Sequence, residues 1–173
     1  MFNRKFYHTV LLIFSLLVFL LYLTPSTSAK SPHVNVAKID SIINPVVVEF
    51  IAESIERSLK DGAECLIIQL DTPGGLDLSM RKIVKDMLNA DIPIVVYVSP
   101  GGARAASAGV IITMASNIAA MAPGTNIGAA HPVTMGGQKI YNEMEKKVVN
   151  DTVAYIKSIA EKRFVVGRRR RFN

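Results

Sequence analysis

Apolar residues recur along the chain at two alternating spacings. Short apolar runs of strand length occur at 34–39, 65–70, 94–98 and 118–121. The run at 65–70 is apolar on both faces apart from Gln69, a pattern typical of a buried parallel strand. Longer segments between these runs carry apolar residues at a spacing of three or four, which predicts amphipathic helices.

Helices are predicted at 44–62, 77–88, 107–115 and 141–162. Asn44 and Pro45 form an N-cap and first-turn pair, and Gly62 ends the first of these helices. Asp77 is expected to cap the second helix, and a loop rich in Gly, Ala and Pro is expected at 123–137. The alternation of strands and helices predicts an α/β fold with a mainly parallel sheet and crossover helices.

The N-terminal segment has the three-part layout of a secretory signal. A basic start that ends at Lys5 precedes an uncharged apolar run at 9–23 and a polar segment that ends at Ala29. Cleavage after Ala29 and retention as an uncleaved membrane anchor both remain open, and either outcome places the residues after Lys30 outside the cytoplasm. We therefore expect a signal or anchor at 1–29, one domain at 30–163 and a basic tail at 164–173.

The formal net charge of +6 does not indicate a nucleic-acid-binding protein. The basic excess lies at the two ends of the chain, and the body of the chain is close to neutral and has no basic groove with interleaved aromatic residues. The single cysteine, Cys65, lies in an apolar run, so no intramolecular disulfide is possible. The three histidines are scattered, and we expect neither a metal nor another cofactor.

Ser107 is the candidate nucleophile. It is the only hydroxyl residue in the segment GGARAASAG at 101–109, whose small residues allow another backbone to approach its oxygen. A serine needs a base to take its proton and donors to stabilise the oxyanion. The alternative is that this segment only allows close helix packing.

Backbone amides of two segments are candidate oxyanion donors. Gly74 and Gly75 follow the predicted strand at 65–70, where parallel sheets commonly place their sites, and Ala108 directly follows Ser107. The alternative is a tight turn that requires only the conformational freedom of glycine.

Two residues are candidates for the base. His131 lies in the loop at 123–137 and, with Asp71, would complete a Ser-His-Asp arrangement. Lys147 lies in the second turn of the last predicted helix, and a lysine acts as a base only where burial keeps it neutral. The spacing alone does not select between them.

Four blocks of sequence resemble the membrane-bound Clp-type serine proteases of the NfeD family, relatives of signal peptide peptidase A in the ClpP/crotonase superfamily. The blocks are QLDTPGGL at 69–76, ARAASAG at 103–109, MAPGTNIGAAHP at 121–132, and KVVN with AYIKS within 147–158. The resemblance implies a ClpP/crotonase-like fold. It also implies a Ser-Lys dyad at Ser107 and Lys147, an oxyanion region at Gly74, Gly75 and Ala108, and a structural role for His131.

The resemblance further implies a membrane-associated endopeptidase on the extracytoplasmic side. Its expected substrates are apolar segments of membrane-associated proteins, stomatin-like proteins among them, and it is expected to form homo-oligomers, as dimers or larger assemblies. The sequence departs from the family at Phe164, and we interpret the segment after it as a truncation.

Two other functions remain as alternatives. One is a crotonase-like acyl-CoA hydrolase or isomerase, which the predicted export disfavours because coenzyme A thioesters are cytoplasmic. The other is a catalytically idle fragment that serves as a membrane-tethered interaction module.

Overall fold

The computed structural model describes residues 4–22, 31–129 and 142–170, in two units. The described part of the first unit, Met1–Ser31, is the helix α1 (Arg4–Tyr22), and large apolar side chains such as Leu11 and Phe14 are exposed on it. In these three ranges, no helix combines the length and the apolar character needed to cross a membrane.

The second unit, Pro32–Asn173, contains the remaining elements. In chain order they are β1 (Asn35–Asp40), α2 (Pro45–Asp61), β2 (Leu66–Asp71), α3 (Asp77–Leu88), β3 (Ile94–Val98), β4 (Arg104–Ala106), α4 (Ala108–Met114), β5 (Ile118–Met121), β6 (Asn126–Gly128) and α5 (Asn142–Arg170).

Four of the strands form a parallel sheet in the order β1-β2-β3-β5. Leu66 of β2 lies opposite Asn35 of β1 on one side and Ile94 of β3 on the other. Helices α2, α3 and α4 connect successive strands of this sheet, and Ile51, Ile83 and Ile112 of these helices are fully buried. The predicted α/β fold with a parallel sheet is confirmed.

Local capping chemistry explains where α2 begins and ends. The side-chain oxygen of Asn44 accepts a hydrogen bond from the Val47 amide at 3.0 Å, and Pro45 occupies the first turn. Gly62 ends the helix with φ +66°, a left-handed conformation that glycine adopts without steric cost. These boundaries agree with the sequence prediction.

The N-cap residue of α3 and the end of α5 differ from the prediction. Leu76 occupies the N-cap position of α3, and Asp77 lies in the first turn instead of capping the helix, with its carboxylate paired to Arg81. Helix α5 continues through the predicted tail to Arg170, in a segment that contains no proline to stop it.

Two short strands that sequence analysis did not predict form a second, two-stranded parallel sheet. In this sheet Ala105 of β4 lies opposite Ile127 of β6. An isolated bridge between Thr72 and Ala105 joins β4 to the chain leaving β2, and the bonds Thr72 N–H to Arg104 O (2.7 Å) and Ala106 N–H to Thr72 O (3.0 Å) flank it. This contact brings the segment after β2 next to the segment that precedes α4.

Candidate active site

Ser107 lies between β4 and α4 in a strained backbone conformation. Its φ of 51° and ψ of −112° are unusual for a residue with a side chain. Two hydrogen bonds hold this conformation. The Ser107 amide donates to Gly128 O and the Ser107 carbonyl accepts from the Val110 amide, both at 3.0 Å. A serine on a strained turn between a strand and a helix is also the local arrangement of the nucleophile elbow in α/β-hydrolases.

Gly74 lies directly against Ser107. A methyl group on Gly74 would come within 2.7 Å of Ser107 Cβ and 3.2 Å of its Oγ, and Gly74 has φ +110°. No residue with a side chain fits at this position without displacing the serine. The sequence-predicted neighbours Gly74 and Ser107 are therefore brought together by the fold.

The fully buried Thr72 fixes the glycine turn from within. Its Oγ1 accepts a hydrogen bond from the Gly74 amide at 3.1 Å and lies 3.3 Å from Gly74 O. The methyl group of Thr72 packs against Gly109. A side chain at position 109 would not fit, because its Cβ would lie 2.7 Å from Thr72 Cγ2. Sequence analysis missed this role of Thr72, although its position directly after a buried strand was a usable signal.

Gly75 permits a close contact with the segment that follows β1. A methyl group on Gly75 would lie 2.1 Å from Ile43 O. The backbone of Ile43 donates to Gly74 O at 2.8 Å and accepts from the Leu76 amide at 2.9 Å. The turn is thus held by Thr72 on one side and by Ile43 on the other.

The three candidate oxyanion donors differ in their hydrogen bonding. Within the described part of the chain, the amides of Gly75 and Ala108 have no acceptor, and Ala108 is the first residue of α4, where amides lack an intrahelical partner. The Gly74 amide is already bonded to Thr72. Gly75 and Ala108 are therefore the amides that remain available to a developing negative charge.

Lys147 lies on α5 and is exposed in the single chain. Its side chain forms no hydrogen bond or ion pair with another described residue, and neither does the hydroxyl of Ser107. The structure therefore does not join the two predicted dyad residues by a hydrogen bond.

Helix α5 is attached to α3 one turn beyond Lys147. The Arg81 guanidinium pairs with Asp151 of α5 and, at 2.8 Å, with Asp77 of its own helix. It also lies 4.4 Å from the ring centroid of Tyr155. Burial acts to lower the pKa of Arg81, but the two carboxylates outweigh it and the pKa is raised, so the arginine stays charged in this pair.

Two further contacts hold α5 against the body of the domain. Ile159 is buried in the core, and the Arg163 guanidinium donates to Ala115 O at the end of α4. Sequence analysis missed the role of Arg81, although its spacing of four residues from Asp77 predicts an ion pair within a helix.

The alternative base, His131, lies outside the described residues. Asp71, its proposed partner, accepts a hydrogen bond from the Arg104 amide at 3.0 Å and so helps to position β4. Among the described residues, no group of three or more His, Cys, Asp or Glu side chains is arranged to hold a metal ion.

Comparisons with known proteins agree on one family. A family model described as the N-terminal domain of NfeD1b matches residues 33–165. The chain is 40% identical over 148 residues to the membrane-bound protease PH1510 of Pyrococcus horikoshii, covering 84% of this chain and 33% of PH1510. It is 29% identical over 105 residues to the membrane protein NfeD1b of Bacillus subtilis, covering 61% of this chain and 23% of that protein.

Solved structures show the same relationship. A serine-to-alanine mutant of the 1510-N membrane-bound stomatin-specific protease has a TM-score of 0.70 and 39% identity, covering 77% of this chain and 65% of that one. A lysine-to-alanine mutant of that protease, in complex with a substrate peptide, gives the same TM-score and identity and is covered to 61%. A ClpP1 variant of Listeria monocytogenes, at a TM-score of 0.50 and 19% identity over 78% of this chain and 68% of that one, shares the fold. The chain spans about a third of PH1510 and about a quarter of NfeD1b.

Proposed function

Since the chain belongs to the family of NfeD1b N-terminal domains, we propose that it is a membrane-associated serine endopeptidase with Ser107 as nucleophile and Lys147 as base. The observation that carries this proposal is the strained Ser107 packed against Gly74, with the amides of Gly75 and Ala108 available beside it. The serine and the lysine mutated in the solved structures of the 1510-N protease stand at nearly the same separation in sequence as Ser107 and Lys147, which supports the pairing.

In the proposed reaction, Ser107 Oγ attacks the carbonyl carbon of a peptide bond while Lys147 Nζ accepts its proton. The Gly75 and Ala108 amides donate hydrogen bonds to the oxyanion. Gly74 does not donate, but it stabilises the turn that contains Gly75. Lys147 then returns the proton to the leaving amine, and water releases the acyl group from Ser107. Because Lys147 is exposed in the single chain, this reaction requires the substrate or a second subunit to cover it.

The proposed substrates are apolar segments of membrane-associated proteins, with stomatin-like proteins among them. The specificity of the 1510-N protease for stomatin supports this class. We infer that residues 1–29 direct the domain to a membrane as a signal or an anchor, with the protease domain on the extracytoplasmic side. The exposed apolar side chains of α1 and the basic residues before them support this orientation.

A cleavage assay with the full chain and an apolar peptide tests the proposal. Ser107→Ala and Lys147→Ala are each expected to reduce kcat by about 1000-fold or more, because nucleophile and base act as one unit. Lys146→Ala is the matched control, since it removes a neighbouring amine from the same turn of α5, and it is expected to leave cleavage unchanged. If His131→Ala abolishes cleavage and Lys147→Ala does not, the assignment of the base is wrong.

The exposure of Lys147 favours one alternative function, a catalytically idle interaction module tethered to a membrane. The same assay separates the two functions, because the module predicts no cleavage by the wild type or by any variant.

A further inference from the structure

Among the described residues, no strand pairs with the outer edge of β1. This strand is the first in the order β1-β2-β3-β5. The backbone amides of its odd-numbered residues point toward β2. The Asn35 amide donates to Cys65 O and the Ser41 amide to Asp71 O, each at 3.2 Å. Since backbone groups alternate in direction along a strand, the amides and carbonyls of Val36, Lys38 and Asp40 point away from β2. Within the described ranges, these groups have no hydrogen-bond partner.

The side chains of these positions, together with Ile42 just beyond the end of β1, form one exposed row. Val36 is 60% exposed and Ile42 57% exposed, and the exposed Lys38 and Asp40 lie between them. Neither Lys38 nor Asp40 forms an ion pair with a described residue. Along the strand the row is therefore apolar, positive, negative and apolar. Two such rows that run in opposite directions place each positive residue opposite a negative one and each apolar residue opposite an apolar one.

We propose that this edge is a dimer interface at which β1 pairs antiparallel with β1 of a second copy of the chain. The two-fold axis passes midway between Ile39 and the partner's Ile39, so Lys38 lies opposite the partner's Asp40 and Val36 lies opposite the partner's Ile42. Lys38 and the partner's Asp40 exchange amide-to-carbonyl hydrogen bonds, because the backbone groups of both residues point toward the open edge. The two sheets of four strands become one continuous sheet.

Charge selects this register over its neighbours. Moving the pairing by two residues in one direction places Lys38 opposite the partner's Lys38, and moving it in the other direction places Asp40 opposite the partner's Asp40. Like charges directly opposite each other destabilise a strand pair. A shift by one residue sets outward backbone groups opposite inward ones. Of these registers, only the proposed one satisfies the hydrogen bonds, the charges and the apolar side chains together.

An apolar surface on α2 supports the same interface. Val46 is 72% exposed and Phe50 42% exposed, one helical turn apart, and with residues 38–41 they line a cleft of about 480 Å³ beside the edge of β1. A two-fold axis perpendicular to the joined sheet brings α2 of both copies to the same face. The apolar side chains of the two helices then face each other next to the paired strands.

Charge reversal tests the interface on the full chain in a mild nonionic detergent, by sedimentation. The wild type is expected to be a dimer. Lys38→Asp and Asp40→Lys are each expected to raise the dissociation constant about tenfold, because each creates two like-charge pairs per dimer. The double variant with both reversals restores the opposite charges and is expected to dimerise like the wild type. An equimolar mixture of the two single variants is expected to form heterodimers.

Asp91→Lys is the matched control, an equal reversal of charge at an exposed position outside β1, and it is expected to leave the dimer unchanged. Restoration by the double variant distinguishes a pairing surface from an edge on which a lysine only prevents association. A monomeric wild type, or a dimer that is insensitive to both single reversals, would overturn the proposal. The readout is assembly, so it is independent of the proposed protease activity.

Discussion

The two halves of the candidate active site are built by different means. The serine half is built mainly by backbone: Ser107 and Thr72 each contact Gly74, and hydrogen bonds of 2.7 to 3.3 Å hold these three residues. The lysine half is made of side chains, since Lys147 is exposed on α5 and the helix is attached to α3 through Arg81 and Asp151. The position of the proposed nucleophile therefore depends on steric fit, whereas the helix that carries the proposed base is held by charged contacts and by the buried Ile159.

A side chain at Gly74 should disrupt the serine half most strongly. Gly74→Ala is expected to reduce kcat/KM by at least about 100-fold, because its methyl group would displace Ser107 from a geometry in which even 1 Å matters. Peptide cleavage measures the loss, and thermal unfolding measures the accompanying strain.

Gly102→Ala is the matched control for this substitution. Gly102 also has a positive φ, +90°, but a methyl group there meets no atom within 4 Å. Both variants carry the strain of a non-glycine residue in this conformation, which is of order 1 to 3 kcal/mol. Only Gly74→Ala should lose activity, and equal losses in both variants would show that backbone strain, and not contact with Ser107, is responsible.

Weakening the contact between α3 and α5 is expected to have a smaller effect, on the lysine half of the site. Arg81→Ala removes the ion pair to Asp151 and the contact with Tyr155, and it is expected to reduce kcat/KM about tenfold while lowering the free energy of unfolding by about 1 kcal/mol. We assign Arg81 a positioning role, because its contacts with Asp151 and Tyr155 connect α3 to α5. Labelling of Ser107 by a serine-reactive probe should become slower because the helix that carries the proposed base is held less firmly, although the serine half is intact.

Lys82→Ala is the control for this change. Lys82 follows Arg81 on α3 but pairs with Asp86 of the same helix, so it does not connect α3 to α5. If Lys82→Ala slows cleavage as much as Arg81→Ala does, the effect comes from destabilising α3 and the role assigned to Arg81 is wrong.

Sequence patterns predicted those parts of the fold that depend on nearby residues. The boundaries of α2 follow from Asn44, Pro45 and Gly62, and β5 has the bounds expected from its apolar run. The three-residue strands β4 and β6 were missed because they are too short to show alternation and form only by pairing with each other. Strand pairing between distant segments leaves no local signal of this kind.

Sequence patterns likewise predicted only those features of the site that depend on nearby residues. Small residues around Ser107 identified it as a candidate nucleophile, but its strained φ and its contact with Gly74 arise only when β4 meets the segment after β2. Spacing did not select between Lys147 and His131, because both candidates lie far from Ser107 in sequence. The role of each remains a prediction for the cleavage assay.

The smallest effect concerns the pH dependence of the contact between α3 and α5. Burial raises the pKa of Tyr155 above its usual value of 10.0; the charge of Arg81 opposes this shift, and Asp77 adds to it. The folded protein therefore keeps the Tyr155 proton at a pH at which the unfolded chain has begun to release it. The contribution to stability is complete below pH 10.0 and is lost as the pH rises through the higher folded pKa.

Tyr155→Phe removes this titration and keeps the ring under Arg81. The free energy of unfolding in urea, measured on either side of pH 10.0, should fall less steeply with pH in this variant than in the wild type. In Arg81→Ala, the positive charge that lowers the pKa of Tyr155 is absent. Tyr155 should therefore keep its proton to a still higher pH, and the free energy of unfolding should continue to fall up to that pH. Equal slopes in all three proteins would mean that Tyr155 ionises in the folded protein as it does in the unfolded chain, and that its ring is not buried against α3 in solution.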